Sequence, residues 1–316
     1  MITVTKVEKL KGALPRKIDV LVACASFEAR GLTACEIFDQ NDVAHVALFH
    51  FDPTEADTTQ SIRTFDKHFP GKLAYHTMNH SKPESIARAI MSALPFENSK
   101  DKEFVVDIST FTKEALLVLL KFFTLFKDSF PNVTFFYRTA DVSQVLSNGI
   151  LQIRSVPGYM GDFEPELPLH IIVLSGFEFE RAKGIIDTIE PDYITIGSGA
   201  KKESISDEMH DDNVHFTSQL SSYYSNENVN TFECSLRDPI CVRDTIIKLI
   251  KQCPKRNYVI APLNNKISTI GAGLAAIENP NIQICYAQMA SYNPNYSTPS
   301  DNCIIFKLNN LTQAQT

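Results

Sequence analysis

Apolar residues in this chain come in short, nearly unbroken runs separated by polar turns and by segments with helical spacing. The runs at 18–24, 44–51, 72–78, 104–107 and 133–137 read as strands, and that at 18–24 is short, β-branched and nearly all apolar, as expected of a parallel central strand. Between them the pattern predicts a helix over 27–39 and a loop with an exposed helix within 52–70. A third helix runs from Ser81 or Lys82 to 94, and a strongly apolar one begins at 113. Residues 1–16 are polar and basic and predict one short strand and an arm. Strand and helix alternate throughout, so the expected architecture is a doubly wound parallel α/β sheet.

The pattern breaks between 141 and 169. Ser147-Asn-Gly149 reads as a turn, 151–154 as a short strand, and the Pro/Gly-rich stretch at 157–168 as a connector. We place a boundary there, giving domains 1–160 and 161–316. The pattern then restarts, with strands over 169–174, 192–197, 229–234, 257–262 and 282–287. Helices are expected over 176–189, 239–251 and 267–277, with a polar helical or loop region at 203–224. A last strand over 302–307 is expected at a sheet edge. Phe27-Glu28 corresponds to Phe177-Glu178, Val106 to Ile260, and Phe136-Tyr137 to Cys285-Tyr286, each pair separated by roughly 150 residues. The chain therefore predicts two tandem Rossmann-like domains related by internal duplication, packed about a pseudo-two-fold axis with their strand-end turns facing one cleft.

The most distinctive stretch is Phe104-Val-Val-Asp-Ile-Ser-Thr-Phe-Thr-Lys113, a buried strand handing over to a helix. Helix N-termini present unpaired N–H groups and the positive end of the dipole, so Asp107, Ser109, Thr110, Thr112 and Lys113 are candidates for cradling a phosphate or ribose. An ordinary helix cap with a solvated lysine is the competing reading. The turn has no glycine and is not a Walker A loop. Asn264, Asn265, Lys266 and Ser268 occupy the matching place in the second half, without the aspartate. After the first strand come Ser26, a candidate helix N-cap, Glu28 and Arg30; Glu178 and Arg181 are their partners. Each Glu–Arg pair is either a ligand contact or a surface ion pair. Tyr292, Asn293 and Tyr296, from Ser291-Tyr-Asn-Pro-Asn-Tyr-Ser297, suit stacking on a base, and Arg138 could meet a phosphate.

Composition narrows the classes. A net charge of −7 argues against broad binding of duplex nucleic acid. Seven scattered cysteines without a C-x-x-C, and eight histidines without ligand spacing, give no disulfide framework, no metal site and no hydrolytic triad. No dinucleotide fingerprint follows Cys24, so no cofactor is expected. No apolar run reaches the ~20 residues that span a bilayer, and no signal-peptide core is seen, so the expectation is a cytoplasmic protein without membrane contact.

Asp107-Ile-Ser-Thr-Phe-Thr-Lys113 resembles the polar turn of CARF domains, Rossmann-like sensors of cyclic oligonucleotides in prokaryotic defence, with Thr110 and Phe111 where those turns carry glycines. Two fused copies resemble the pairing in SAVED-type nucleotide sensors. The chain is also similar to an uncharacterised bacterial protein family sharing Ser-Phe-Glu-x-Arg, an Asp-x-(Ser/Thr)-x-Phe turn and a Tyr-Asn-x-x-Tyr-Ser ending. The resemblance implies a regulatory protein that binds a nucleotide or phosphorylated small molecule between its repeats and signals to a protein partner. A nucleotide hydrolase with Asp107 or Glu28 as general base is the alternative, and a non-catalytic adaptor the second.

Overall fold

A computed structural model describes residues 2–52, 56–97, 99–142, 146–224 and 228–312. The chain divides into two compact units, Met1–Asp141 with Ser297–Thr316, and Val142–Tyr296.

Unit 1 begins with β1 (Thr3–Lys6), α1 (Val7–Ala13) and β2 (Ile18–Cys24). A 3-10 turn over Ala29–Leu32 leads into the short α2 (Thr33–Ile37), where the sequence predicted a longer helix from 27. Next come β3 (Val43–Asp52), α3 (Ala56–His68), β4 (Leu73–Asn79), α4 (Glu84–Ala93), β5 (Phe104–Asp107), α5 (Lys113–Leu125) and β6 (Val133–Val142). Unit 2 holds β7 (Ser147–Met160), β8 (Leu169–Leu174), α6 (Phe179–Ile189), β9 (Tyr193–Gly199) and α7 (Asp207–Tyr223). It continues through β10 (Asn228–Cys234), α8 (Pro239–Gln252), β11 (Asn257–Pro262), α9 (Lys266–Glu278) and β12 (Ile282–Tyr292). The chain then returns to unit 1 with β13 (Ser297–Lys307) and α10 (Leu308–Thr312).

The sheets repeat one topology. In unit 1 the order is β1-β13-β6-β5-β2-β3-β4, and β6 through β4 run parallel. In unit 2 the order is β10-β9-β8-β11-β12-β7, parallel except for β7. Counting each unit's parallel strands along the chain, both sheets read 3-2-1-4-5, the order of a mononucleotide-binding Rossmann half. The central strands are apolar because both faces are covered: β5 is buried throughout, and β2 is buried except at Asp19. α5 is buried on nearly all sides, from Glu114 to Leu120 and again at Phe122 and Phe123.

Three expectations are corrected. Ser147-Asn-Gly149 is not a turn but the start of β7, which runs antiparallel along β12 to Met160 and takes in the first residues, 157–160, of the expected connector. The last strand is longer than 302–307 and lies between β1 and β6 rather than at an edge. The division accordingly falls at 141/142 and 296/297, not near 160, and unit 1 is closed by the end of the chain. Both corrected strands follow a parallel strand across a short link. Each joins the sheet of the other unit: β7 pairs with β12, and β13 with β6.

Candidate functional site

In unit 1 β2 has β3 on one side and β5 on the other, so the turns leaving β2 and β5 flank the point where strand order reverses. Open α/β sheets place ligands there. In the turn after β2, Ser26 does not cap a helix. Its Oγ accepts the Glu28 N–H at 3.2 Å and tightens the bend. Glu28 and Arg30 are no surface pair: their side chains are 12% and 7% exposed, with Arg30 Nη2 2.6 Å from Glu28 Oε2. Arg30 Nη1 donates to the Tyr137 hydroxyl and the Arg138 carbonyl, both at 3.4 Å, and the guanidinium lies 5.7 Å from the Tyr137 ring centre.

Unit 2 repeats this arrangement. Arg181 Nη1 donates to Glu178 Oε2 at 3.0 Å and Nη2 to the Ala287 carbonyl at 2.7 Å, while the guanidinium lies 5.7 Å from the Tyr286 ring centre. Ser147 Oγ donates to Glu178. Burial pulls the Arg181 pKa down, but the charge of Glu178 and the neighbouring Tyr292 and Tyr286 raise it overall. These two Glu–Arg–Tyr clusters link the first strand's turn to the fifth strand. Glu28, Arg30, Glu178 and Arg181 are thus tied to one another inside each unit, and the duplicated sequence landmark is a duplicated buried ion pair.

The β5 turn is also turned largely inward. Asp107 is buried at the end of β5, where Oδ1 accepts the Ser109 N–H at 2.9 Å. Ser109 is fully buried and its Oγ accepts the Arg138 N–H at 3.0 Å; Thr110 donates to the Cys24 carbonyl at 2.6 Å. Ser109 and Thr110 therefore fasten β5 to β6 and β2. Thr112 is the N-cap of α5 and accepts from the Ala115 N–H; Lys113, half-buried, is its first residue. Arg138 donates through Nε to the Ser300 carbonyl and through Nη1 to Thr33 and Glu36. Asp107 Oδ2 is buried with no hydrogen-bond partner. Burial pushes the Asp107 carboxyl up to about 7, against the lowering effects of the Ser109 hydrogen bonds, Arg30 and Arg138.

The matching turn of unit 2 is tied shut. Asn264 Nδ2 donates to the Ser175 carbonyl at 2.6 Å, and Asn213, from α7, donates to the carbonyls of Ser175 and Gly176. Asn265 caps α9 through the Ser268 N–H and donates to the Leu236 carbonyl; Ser268 is buried and Lys266 opens the helix. At Gly176 a Cβ would stand 2.4 Å from the Leu263 carbonyl oxygen, so two turns meet backbone to backbone. The tyrosines expected to stack on a base are turned toward the protein itself. Tyr296 is buried, Tyr292 packs on the unit 2 core with its hydroxyl 3.4 Å from that of Tyr286, and Asn293 forms a turn with Asn295.

The sequence reading passed over Glu114, buried in the first turn of α5, and Glu203, whose Oε2 accepts from Ser235 Oγ and the N–H groups of Leu236 and Arg237. Nothing in the local pattern marks Glu203. Its partners lie across a strand and are brought close only by the sheet. Among the described residues no group of three or more His, Cys, Asp or Glu could hold a metal ion, no disulfide forms, and no helix is long and apolar enough to cross a membrane.

Strand order and turn placement define the class: a tandem Rossmann-like α/β protein. No protein-family model matches the chain, and no curated protein matches its sequence. Among solved structures it is similar to a type III CRISPR defence DNA nuclease activated by cyclic oligoadenylate, at 8% identity and a TM-score of 0.47, covering 81% of this chain and 64% of that one. A universal stress protein of Pseudomonas aeruginosa aligns at 9% identity and a TM-score of 0.29, covering 85% and 93%. L-sorbose reductase from Gluconobacter frateurii, complexed with NADPH and L-sorbose, aligns at 12% and 0.27, covering 75% and 78%.

Proposed function

We propose that the chain is a ligand-binding regulatory protein whose unit 1 takes a nucleotide or other phosphorylated small molecule at the switch point of its sheet. The observation carrying this reading is Asp107 Oδ2, a buried oxygen with no partner at the end of a central strand, beside the N-terminus of α5. An unsatisfied buried oxygen costs on the order of 1–3 kcal/mol and calls for a partner that a ligand or its water supplies. Lys113 and the first N–H groups of α5 would hold the phosphate, with Arg138 Nη2 as a second positive group. Asp107 would meet a ribose hydroxyl or an exocyclic amine.

The test is calorimetry and thermal shift with AMP, ATP, NADPH, a cyclic oligoadenylate and inorganic phosphate. At least one nucleotide should bind, and Lys113→Ala should weaken it about tenfold or more, ~1.4 kcal/mol. Binding that is indifferent to Lys113→Ala, or no binding by any of the panel, would sink the reading. The Asp107 carboxyl, pushed up to about 7, favours a second reading as a hydrolase with Asp107 as general acid–base. Product formation from a bound nucleotide, lost in Asp107→Asn, would select it.

A further inference from the structure

One flank of helix α7, beside its buried Asn213, Thr217 and Leu220, carries an unusual stripe. Val214, Thr217, Ser218 and Ser221 recur at three- and four-residue spacing, the positions of a single helix stripe, yet all but the first carry hydroxyls. That stripe borders a groove of about 470 Å³ whose opposite side is formed by Ser198 of β9 and by Thr231 and Glu233 of β10. Strand register pairs Ser198 with Glu233 and Ile196 with Thr231. These residues therefore share the sheet face of Ile194 and Ile196, which pack with Leu220 of α7 in the unit 2 core. An amphipathic helix closing over an edge strand would ordinarily fill this space with apolar side chains. Here the space is open and most of its lining residues carry hydroxyls, with Val214, Phe232 and Glu233 beside them.

Thr217 supplies the second observation. It is 6% exposed, and its Oγ1 is buried with no hydrogen-bond partner. Threonines inside helices ordinarily return the hydroxyl to the carbonyl four residues earlier. Thr64, Thr124, Thr188 and Thr245 of this chain all do so, at 2.7 to 3.0 Å. Thr217 does not, although it lines the groove.

The lining chemistry selects a ligand class. Among the described residues no lysine or arginine lines the groove, so its lining suits a neutral ligand better than a phosphate or carboxylate. Hydroxyls both donate and accept, which matches a ligand that is itself a set of hydroxyls, and a carboxylate can accept from two of them. Glu233 uses Oε1 to accept the Lys201 N–H at 3.1 Å. The volume falls within the roughly 300–1,000 Å³ of small-molecule sites. We propose that the α7–β10 groove binds a neutral polyhydroxylated molecule of monosaccharide to disaccharide size, separately from the anion site of unit 1.

The test is saturation-transfer NMR and calorimetry on the full chain with ribose, glucose, myo-inositol and maltose, and inorganic phosphate as control. At least one polyol should bind saturably below about 50 mM, a range that includes the weak affinity of a small neutral ligand. Thr217→Val should weaken it about tenfold or more while the melting temperature holds or rises, because the methyl replaces an unsatisfied hydroxyl of the same shape. Glu233→Gln, at an exposed position outside the core, should weaken it similarly. Saturation by none of the four polyols, competition by phosphate, or binding unchanged in both variants would overturn the proposal.

Discussion

At the residue scale the decisive group is Asp107. Its ordinary carboxyl value of 3.8 is pushed up to about 7 by burial. Between about pH 4 and pH 7 the folded chain holds a proton that the unfolded chain has released, so stability falls as pH rises through that window, by up to about 4 kcal/mol. Asp107→Asn removes the titration while keeping an oxygen for the Ser109 N–H. Urea midpoints of the two proteins should therefore shift in the variant's favour as pH rises from about 5 to about 8. A difference that stays flat across that range would mean the carboxyl ionises as in water. The place of Asp107 at the end of a buried strand was legible in the apolar run before it. The inward commitment of Ser109, Thr110, Arg30 and Arg181 was not, because a polar residue at a strand end reads alike whether it faces solvent or a neighbouring carbonyl.

At the element scale, the turns leaving the first and fourth parallel strands are built differently in the two units. Both units join them through a side chain, Thr110 to the Cys24 carbonyl in unit 1 and Asn264 to the Ser175 carbonyl in unit 2, but unit 2 also lets backbone meet backbone at Gly176. A methyl at Gly176 would meet the Leu263 carbonyl oxygen at 2.4 Å, and that oxygen belongs to main chain that cannot rotate away. Gly176→Ala should thus lower stability by about 1–3 kcal/mol, read as a drop in the denaturant midpoint. An unchanged midpoint would show that the two turns have slack. Strands and helices were mostly legible: 257–262 is β11 as expected, and α5 begins at Lys113. The segment 147–168 misled because Asn-Gly and Pro-Gly signal turns, yet Gly149 and Gly158, with φ of 65° and 85°, lie within a long β7.

At the scale of the whole molecule, unit 1 is completed by the last residues of the chain. Cys303, Ile304, Ile305, Phe306, Leu308 and Leu311 are all buried there. Each contributes on the order of 1.5–3 kcal/mol of burial, together comparable to the ~5–15 kcal/mol of a whole domain. Ending the chain after Tyr296 should therefore unfold unit 1 and spare unit 2, whose six strands all lie within Val142–Tyr296. Hydrogen exchange would report this as lost protection in β2 and β5 with β8 and β11 still protected. Retained protection in β5 would show that β13 is dispensable.

The sequence by itself determined the alternation of strands and helices, the repetition of one unit, and the turns that flank each switch point. These follow from local periodicity and from apolar runs that only a doubly covered sheet can bury. The tertiary structure alone decided that β7 completes the sheet of unit 2 and β13 that of unit 1, that the Glu–Arg pairs lie inside, and that a groove rich in hydroxyls opens beneath α7. Strand edges of similar composition offer similar backbone hydrogen bonds, so the choice among them is made by long-range packing that no local pattern encodes.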